Sequence, residues 1–328
     1  LIAAHGHSTY GGNSHLIADA DEAWVVIEFA GGAGLWVAER LGPDAIRVSR
    51  PGYVGRIPIE GDGGRTVEMS ENFVDFAVAR GWHVANGRPF DVNAVYGDGK
   101  GRWEGVALIE DELARRSRRP EKIGLDDVID ALRDGRFTGD SAGYGQIAPL
   151  HGPRPAETRM MWHAHVGPVA APFTPVPLGL LEAPHAFRQH RYLSTGEAET
   201  FIDRRRAETR SRVPQSVEAT RSATVSFKRL QYLAMLRHET LLPEVQAIWR
   251  AEERRLQRDY AVAERLAALA LEAGESEAAC LHLTYVAQTE LMRSLDTADA
   301  LARALELKIR VEDGLRIGTG PAGPEQIW

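Results

Sequence analysis

Two histidines one residue apart are the groups in this sequence most suggestive of chemistry. His163 and His165 fall in segment 160–166, whose apolar residues predict a β-strand, so both rings should point to one face. Two imidazoles on one face can begin a zinc site, which needs at least a third ligand. The His-Glu-x-x-His motif, which would bring such ligands together on a helix, does not occur. Buried, hydrogen-bonded histidines are the competing interpretation, and we predict no metal and no cofactor.

A serine and a cysteine are the candidate nucleophiles. Ser141 is the centre of a Gly-x-Ser-x-Gly pattern at 139–143, which is typical of a nucleophile at a sharp turn between a buried strand and a helix. The preceding segment 134–138 is polar and Pro149 follows soon after, so a glycine-rich loop is the alternative. Cys280 lies at helical spacing among apolar residues, which is typical of an inert, buried thiol.

Two arginines could recognise a carboxylate. Arg102 stands just before Trp103 at a predicted helix start, and Arg159 stands just before the predicted strand at 160–166. A guanidinium fork beside an aromatic wall can bind a carboxylate through two hydrogen bonds, or fix the acid end of an amide substrate. Structural ion pairs, with Glu157 or Asp140 as partners, are the competing interpretation.

The composition indicates an ordinary globular protein. The chain has 328 residues, with Lys+Arg 39 against Asp+Glu 46 and a formal net charge of -7, which gives no electrostatic footprint for nucleic acid. No stretch approaches the ~20 consecutive apolar residues of a transmembrane helix. A single cysteine cannot form an internal disulfide, which is compatible with a reducing compartment. We predict a cytoplasmic protein with neither nucleic acid nor membrane among its partners.

The first residues suggest a piece of a longer protein. The chain starts LIAAHG, without methionine and without the basic and apolar regions of a signal peptide. An apolar turn stopped by Gly6 is typical of the end of a helix. We expect a processed subunit or a truncated piece, with a trimmed tag as the alternative.

Glycine separates two kinds of sequence. Of the 32 glycines, 27 lie at or before Gly196, and from there to Asp313 only Gly274 occurs, so the later part should be helical. The earlier part predicts strands first, then helices, then a further strand, which is an α+β layered arrangement. The predicted strands are 14–18, 23–29, 35–39, 45–49 and 160–166, and the predicted helices are 72–80, 104–115 and 125–132.

Several segments, taken in order, resemble the secernin-like cysteine dipeptidases, a family of N-terminal-nucleophile (Ntn) hydrolases. The similarity runs from about residue 13 to 179. The matching segments are NSHLIADADEAW at 13–24, IE at 27–28, LWVAERLGPD at 35–44, NFVDFA at 72–77, GW at 81–82, RPFD at 88–91, GRWEG at 101–105 and FTPVPLG at 173–179.

The resemblance implies a fold and a mechanism. The family folds as a four-layer αββα sandwich, and the side chain of its N-terminal cysteine attacks the amide carbon while the free α-amine handles the proton. The segments matched here follow the family's front part, which carries that nucleophile. We therefore expect residues 1–195 to be the C-terminal portion of an Ntn domain, 196–313 a helical region and 314–328 a flexible tail.

The resemblance also suggests site residues. Arg102 matches the family's Arg-Trp-x-Gly stretch, in which an arginine supports the nucleophile, so it is the predicted catalytic residue. In segment 47–53 the family often has an asparagine after the serine, where Arg50 or Pro51 stands here, so substrate contacts in this loop should differ. The predicted substrate-binding residues are Asn13, Arg50, Tyr53, Ser141, Tyr144, His151 and Arg159.

The resulting hypothesis is a subunit of an Ntn amidohydrolase. It would cleave an amide bond in a small peptide or N-acyl compound, with the nucleophile on a second polypeptide released from the same precursor by autoproteolytic processing. A non-catalytic binding or assembly subunit of the same fold is the first alternative. A metallohydrolase that uses His163 and His165, or a serine hydrolase that uses Ser141, are further alternatives.

Overall fold

The computed structural model describes residues 13–49, 52–60, 66–84, 86–134, 144–150, 154–188 and 222–317, with side chains to 312. The chain divides into two compact units. Unit 1 comprises Leu1–Ala131 with Leu150–Gly152, and unit 2 comprises Leu132–Pro149 with Pro153–Trp328. Two antiparallel sheets and a C-terminal set of helices confirm the predicted α+β class and its helical region. The predicted division between residues 195 and 196 lies outside the described residues.

Unit 1 contains a four-stranded antiparallel meander. Its strands, in spatial order, are β1 (Asn13–Ala18), β2 (Ala23–Glu28), β3 (Trp36–Leu41) and β4 (Val67–Met69). The first three confirm predicted strands. The link between β2 and β3 contains Gly31, Gly32 and Gly34, whose positive φ angles of 110°, 76° and 67° are disfavoured for residues with a Cβ.

The predicted strand at 45–49 is wrong. This segment is irregular, and β4 pairs with β3 instead, with Val67 opposite Glu39. The reason lies in where the segment's polar groups bond: the Val48 amide donates to the Glu110 carboxylate at 3.0 Å, and the Arg47 side chain pairs with Glu39. A backbone donor bound to a side chain cannot contribute to a strand ladder.

Four helices complete this part of the chain. They are α1 (Phe73–Ala79), α2 (Val92–Tyr96), α3 (Glu104–Ser117) and α4 (Leu125–Arg133), the last of which continues into unit 2. The predictions for α1, α3 and α4 are confirmed. Helix α2 was not predicted. It has only five residues and is held by its N-cap, where the Asp91 carboxylate accepts from the Ala94 amide at 3.1 Å.

The two faces of the unit 1 sheet differ. Val25, Ile27 and Val37 point to the face that packs with Phe73 and Ala77 of α1 and forms the buried core. The opposite face is apolar but less covered, because its tryptophans and Val26 are only half-buried. Its central side chains are Trp24, Val26, Trp36 and Ala38.

Unit 2 combines a small sheet with long helices. The antiparallel sheet contains β5 (Gly145–Ile147), β6 (Met160–Ala164) and β7 (Thr174–Pro177), so the strand predicted at 160–166 ends at Ala164. The helices are α5 (His185–Arg188), α6 (Ala223–Leu236), α7 (Leu241–Glu272) and α8 (Ser276–Ile317). Pro243 lies in the first turn of α7, where no amide donor is needed, and Gly274 turns the chain into α8 with φ 83°.

A buried ion pair anchors the loop before β7 in unit 2. Arg133 and Glu253 have side chains exposed by only 1% and 2%. The guanidinium also donates to the carbonyls of Pro168 (3.2 Å) and Ala171 (3.1 Å), and Glu253 accepts from the Phe173 amide at 2.8 Å. Every charge in this network therefore has hydrogen-bond partners.

No helix among the described residues is both long enough and apolar enough to cross a membrane.

Candidate functional site

The loop that carries Arg102 is fixed by a buried asparagine. Asn93, on α2, donates from Nδ2 to the Val54 carbonyl at 2.7 Å and accepts at Oδ1 from the Gly101 amide at 2.9 Å. Trp103 then donates from Nε1 to the Asp98 carboxylate at 2.8 Å. These contacts set the position of Arg102 just before α3.

Arg102 forms an ion pair that leaves most of its donors unused. Nη1 lies 3.2 Å from Oε2 of Glu110 and 2.9 Å from Oδ1 of Asp111, and these hydrogen bonds raise the pKa of Arg102. The partners come from α3, two turns further along, and Glu157 is not one of them. Within the described residues nothing accepts from Nε or Nη2, and the side chain is 47% exposed. The guanidinium can therefore bind a further acceptor.

Tyr53 lies beside this arginine. It is buried, and its ring centroid is 5.4 Å from that of Trp103. Burial is the main cause that raises the pKa of Tyr53, followed by the nearby Glu110 charge, while Arg47 and Arg102 oppose the shift. The phenol thus stays protonated at neutral pH and remains a hydrogen-bond donor.

A second arginine completes the group. Glu39 is fully buried on the core face of the sheet, and it pairs with Arg47, whose side chain is 15% exposed. Gly55 allows this approach, because a Cβ there would come within 2.8 Å of Arg47 Nη2. We call this group the arginine–tyrosine cluster; its members are Glu39, Arg47, Tyr53, Arg102 and Glu110.

The other predicted binding residue described in unit 1 lies elsewhere. Asn13 stands opposite Glu28 at the edge of the sheet and donates to that carboxylate at 3.3 Å, and His15 lies 3.6 Å from the same carboxylate. These side chains are on the face opposite Glu39. The structure thus brings together Tyr53 and Arg102 but not Asn13.

The remaining predicted residues belong to unit 2 or lie outside the described residues. Tyr144 is exposed, with its ring centroid 6.2 Å from His163. Arg159 is exposed too, and no carboxylate in the described part of the chain pairs with it. The residues whose structure is not described are Arg50, Ser141 and His151.

Unit 2 holds a second polar group, which we call the histidine cluster: His163, His165, Phe187 and Thr224. His163 Nε2 lies 3.4 Å from His165 Nδ1, and His165 Nε2 lies 2.8 Å from the Thr224 hydroxyl. The Phe187 ring stacks on His165 at 4.8 Å and meets His163 edge-on at 5.4 Å. Burial lowers the pKa of His163, which favours its neutral form.

The sequence indicated only half of this cluster. The His-x-His spacing revealed the two rings, whereas Thr224 is 59 residues away and carries no local signal.

No group of three or more His, Cys, Asp or Glu side chains suited to a metal occurs within the described ranges. Cys280 is half-buried on α8.

Comparison with known proteins adds no family assignment. No protein-family model matches the chain, and no curated protein sequence matches it. The resemblance to Ntn hydrolases, which depends on short motifs in order, stays a prediction.

Proposed function

We propose that this chain is part of an Ntn amidohydrolase that cleaves an amide bond in a small peptide or N-acyl compound. One observation carries the proposal: Arg102, singled out by the resemblance, has guanidinium donors that no described residue uses, and it lies next to the buried, protonated Tyr53. A group of this kind suits a substrate that carries both a carboxylate and an amide carbonyl.

The unit 1 sheet is compatible with the proposed fold. One of its faces is covered by helices, and the other has half-buried apolar side chains, including Trp24 and Trp36. A sheet in a four-layer sandwich needs both properties, because helices cover its outer face and a second sheet covers its inner face. The complete αββα sandwich belongs to the proposal.

The chemistry divides between this chain and a second polypeptide. The first residue of that polypeptide would supply the nucleophile, which attacks the amide carbon as the carbonyl oxygen becomes an oxyanion. The tetrahedral intermediate then expels the amine, which takes the proton held by the α-amino group and leaves the acyl group on the nucleophile. A water molecule, deprotonated by the same α-amine, then attacks this acyl-enzyme, which releases the carboxylic acid and restores the nucleophile. Arg102 would bind the substrate's carboxylate, and the arginine–tyrosine cluster would keep its guanidinium oriented.

Purification with any accompanying polypeptide tests the proposal. We expect amine release from dipeptides or N-acyl amino acids, and a second polypeptide whose first residue is Cys, Ser or Thr. Replacing that residue should abolish turnover, and Arg102→Ala should lower kcat/KM about 10²-fold. Arg40→Ala removes another exposed ion pair of unit 1, with Glu22, and serves as the matched control. Turnover without a second polypeptide, or unchanged kinetics for Arg102→Ala, would refute the proposal.

A non-catalytic assembly subunit is a second candidate, favoured by a different observation. Val262, Leu266 and Leu269 form an apolar row on α7, with exposures of 48%, 52% and 61%. Such rows are common at protein interfaces. If assembly is the function, Leu266→Lys with Leu269→Lys should dissociate the complex without loss of helix content, and the intact complex should not turn over amide substrates.

A further inference from the structure

We infer that the arginine–tyrosine cluster selects amide substrates whose carboxylate-bearing residue has a cationic side chain, such as lysine. This preference rests on the proposed function, because it concerns the amide substrate that Arg102 would bind. Arg102 and the Tyr53 hydroxyl hold the substrate's carboxylate, and Asp111 faces its cationic side chain. An amide of glutamate or aspartate, which carries a second negative charge, is the poorest substrate.

Arg102 presents one complete edge of its guanidinium to a ligand. Both of its ion-pair contacts, with Glu110 at 3.2 Å and Asp111 at 2.9 Å, come from Nη1. Nε and Nη2 donate to nothing in the described part of the chain, and their N–H groups are parallel. Two parallel donors match the two oxygens of one carboxylate, so this edge both binds the ligand and sets its orientation.

Tyr53 supplies a further donor in the same place. The residue is only 4% exposed, yet no described group hydrogen-bonds to its hydroxyl. Besides burial, which is the largest cause, the charges of Glu110, Arg47 and Arg102 shift the pKa of Tyr53, so these groups surround the phenol. A buried donor without a partner points to a ligand that brings an acceptor, and a carboxylate oxygen is the strongest acceptor for a phenol.

The charges around Arg102 are unequal. Arg47 is matched by Glu39, whereas Arg102 has one positive charge against the two negative charges of Glu110 and Asp111. A bound carboxylate adds a third negative charge to this group. A second carboxylate on the ligand is then repelled, and an ammonium or guanidinium group is attracted.

Two neighbouring cations do not reverse this balance. Lys100 lies close to Asp98, and its charge acts on that carboxylate. Arg56 lies 3.9 Å from Asp91. Each of these exposed cations therefore has a carboxylate of its own. Asp111 differs, because it is exposed and only its Oδ1 has a partner among the described residues, so its second oxygen can meet a cation brought by the substrate.

Three amides that differ in side-chain charge test the preference. They carry lysine, norleucine or glutamate at the carboxylate end and the same alanyl or acetyl group at the other end. The protein, with any accompanying polypeptide, should give kcat/KM in the order lysine, norleucine, glutamate, with lysine at least about tenfold above glutamate. Addition of about 1 M NaCl should shrink this ratio, because salt screens exposed charges and leaves steric fit unchanged.

Two variants separate the roles of the residues. Asp111→Asn should lower the ratio of kcat/KM for lysine over norleucine about fivefold. Asp75→Asn, which removes an exposed carboxylate on α1, is the matched control and should leave this ratio unchanged. Tyr53→Phe should raise KM about tenfold for all three amides alike, because each loses the same hydrogen bond to its carboxylate.

The pattern of results distinguishes this preference from the proposed function. Turnover of all three amides with equal kcat/KM, or with glutamate fastest, would overturn the preference and leave the amidohydrolase proposal standing. No turnover of any amide would overturn both. A lysine preference equally large in Asp111→Asn and Asp75→Asn would show that Asp111 does not determine it. An unchanged KM in Tyr53→Phe would remove Tyr53 from the groups that hold the carboxylate.

Discussion

Arg133 in unit 2 and Arg102 in unit 1 both form ion pairs, but the protein uses them in opposite ways. All three guanidinium nitrogens of Arg133 donate to buried groups, namely Glu253 and two loop carbonyls. Among the described residues, Arg102 donates only from Nη1, and its side chain is half exposed. A guanidinium saturated by the protein fixes the path of the chain, whereas one with unused donors can bind another molecule. The same residue type thus has a structural role in unit 2, whereas in unit 1 it keeps the donors that the proposed function requires.

The strongest way to test this comparison is Arg133→Met. The change leaves the Glu253 carboxylate buried without its cation, so we expect the free energy of unfolding to fall by about 3–5 kcal/mol. Urea denaturation measures the loss. Arg154→Met, which removes an exposed ion pair with Glu264 in the same unit, should lower it by less than about 1 kcal/mol.

The double variant Arg133→Met with Glu253→Leu separates charge from packing. Because no buried charge remains unpaired, most of the lost stability should return. Equal losses for Arg133→Met and Arg154→Met would contradict the structural role of Arg133.

Asn93→Ala should have an intermediate effect. It leaves the Val54 carbonyl and the Gly101 amide unpaired, which should lower the free energy of unfolding by about 1–3 kcal/mol. Amide hydrogen exchange at Gly101 should accelerate, since the loop before Arg102 loses its anchor. Asn72→Ala, which removes an exposed bond to the Ala33 carbonyl, is the control and should change little. Unchanged exchange at Gly101 would show that another contact holds this loop.

Arg102→Ala should change stability by only about 0–1 kcal/mol, because the guanidinium is half exposed and Glu110 keeps its hydrogen bond from the Val48 amide. Thermal unfolding and the kinetic assay should be measured on the same variant. We expect Arg102→Ala to lose most of its turnover and little of its stability. A loss of stability as large as that of Arg133→Met would place Arg102 among the structural arginines.

The smallest expected effect concerns Glu112 on α3. Hydrogen bonds from Arg115, and then Arg116, lower its pKa to about 2 from the ordinary 4.5. Because the pKa of Glu112 is lower in the folded state than in the unfolded state, its ionised carboxylate stabilises the fold at pH values above the unfolded-state pKa. This contribution is lost as the pH falls from 4.5 towards 2. Glu112→Gln should therefore flatten the pH dependence of the urea midpoint in this window. Glu121→Gln, which removes an exposed carboxylate after α3, is the matched control. If the two variants give the same slope of urea midpoint against pH, the role assigned to Glu112 is contradicted.

The sequence predicted the parts of the fold that depend on local pattern. Alternation in β2 and β3, and the glycines between them, were sufficient to identify that hairpin. Segment 45–49 looked equally like a strand, yet its polar groups bond to Glu39 and Glu110, which local pattern does not reveal. Helix α2 was missed because its five residues are too few to show a period.

The candidate sites could be predicted only in part, for the same reason. Arg102 and Tyr53 were candidates suggested by the family resemblance, whereas Arg47 was not predicted, because its position depends on its approach to Gly55. Thr224 joins His165 across 59 residues of sequence. Contacts of that range depend on tertiary structure, which no single segment encodes.

The Arg133–Glu253 pair also bears on the order of folding. It joins residues 120 positions apart, so a long stretch of chain must be closed before the two charges meet. We therefore expect this contact to form late in folding, after α4 and α7 have each formed. Weakening it should therefore speed unfolding much more than it slows refolding. On this expectation, the main effect of the pair is to slow the unfolding of unit 2.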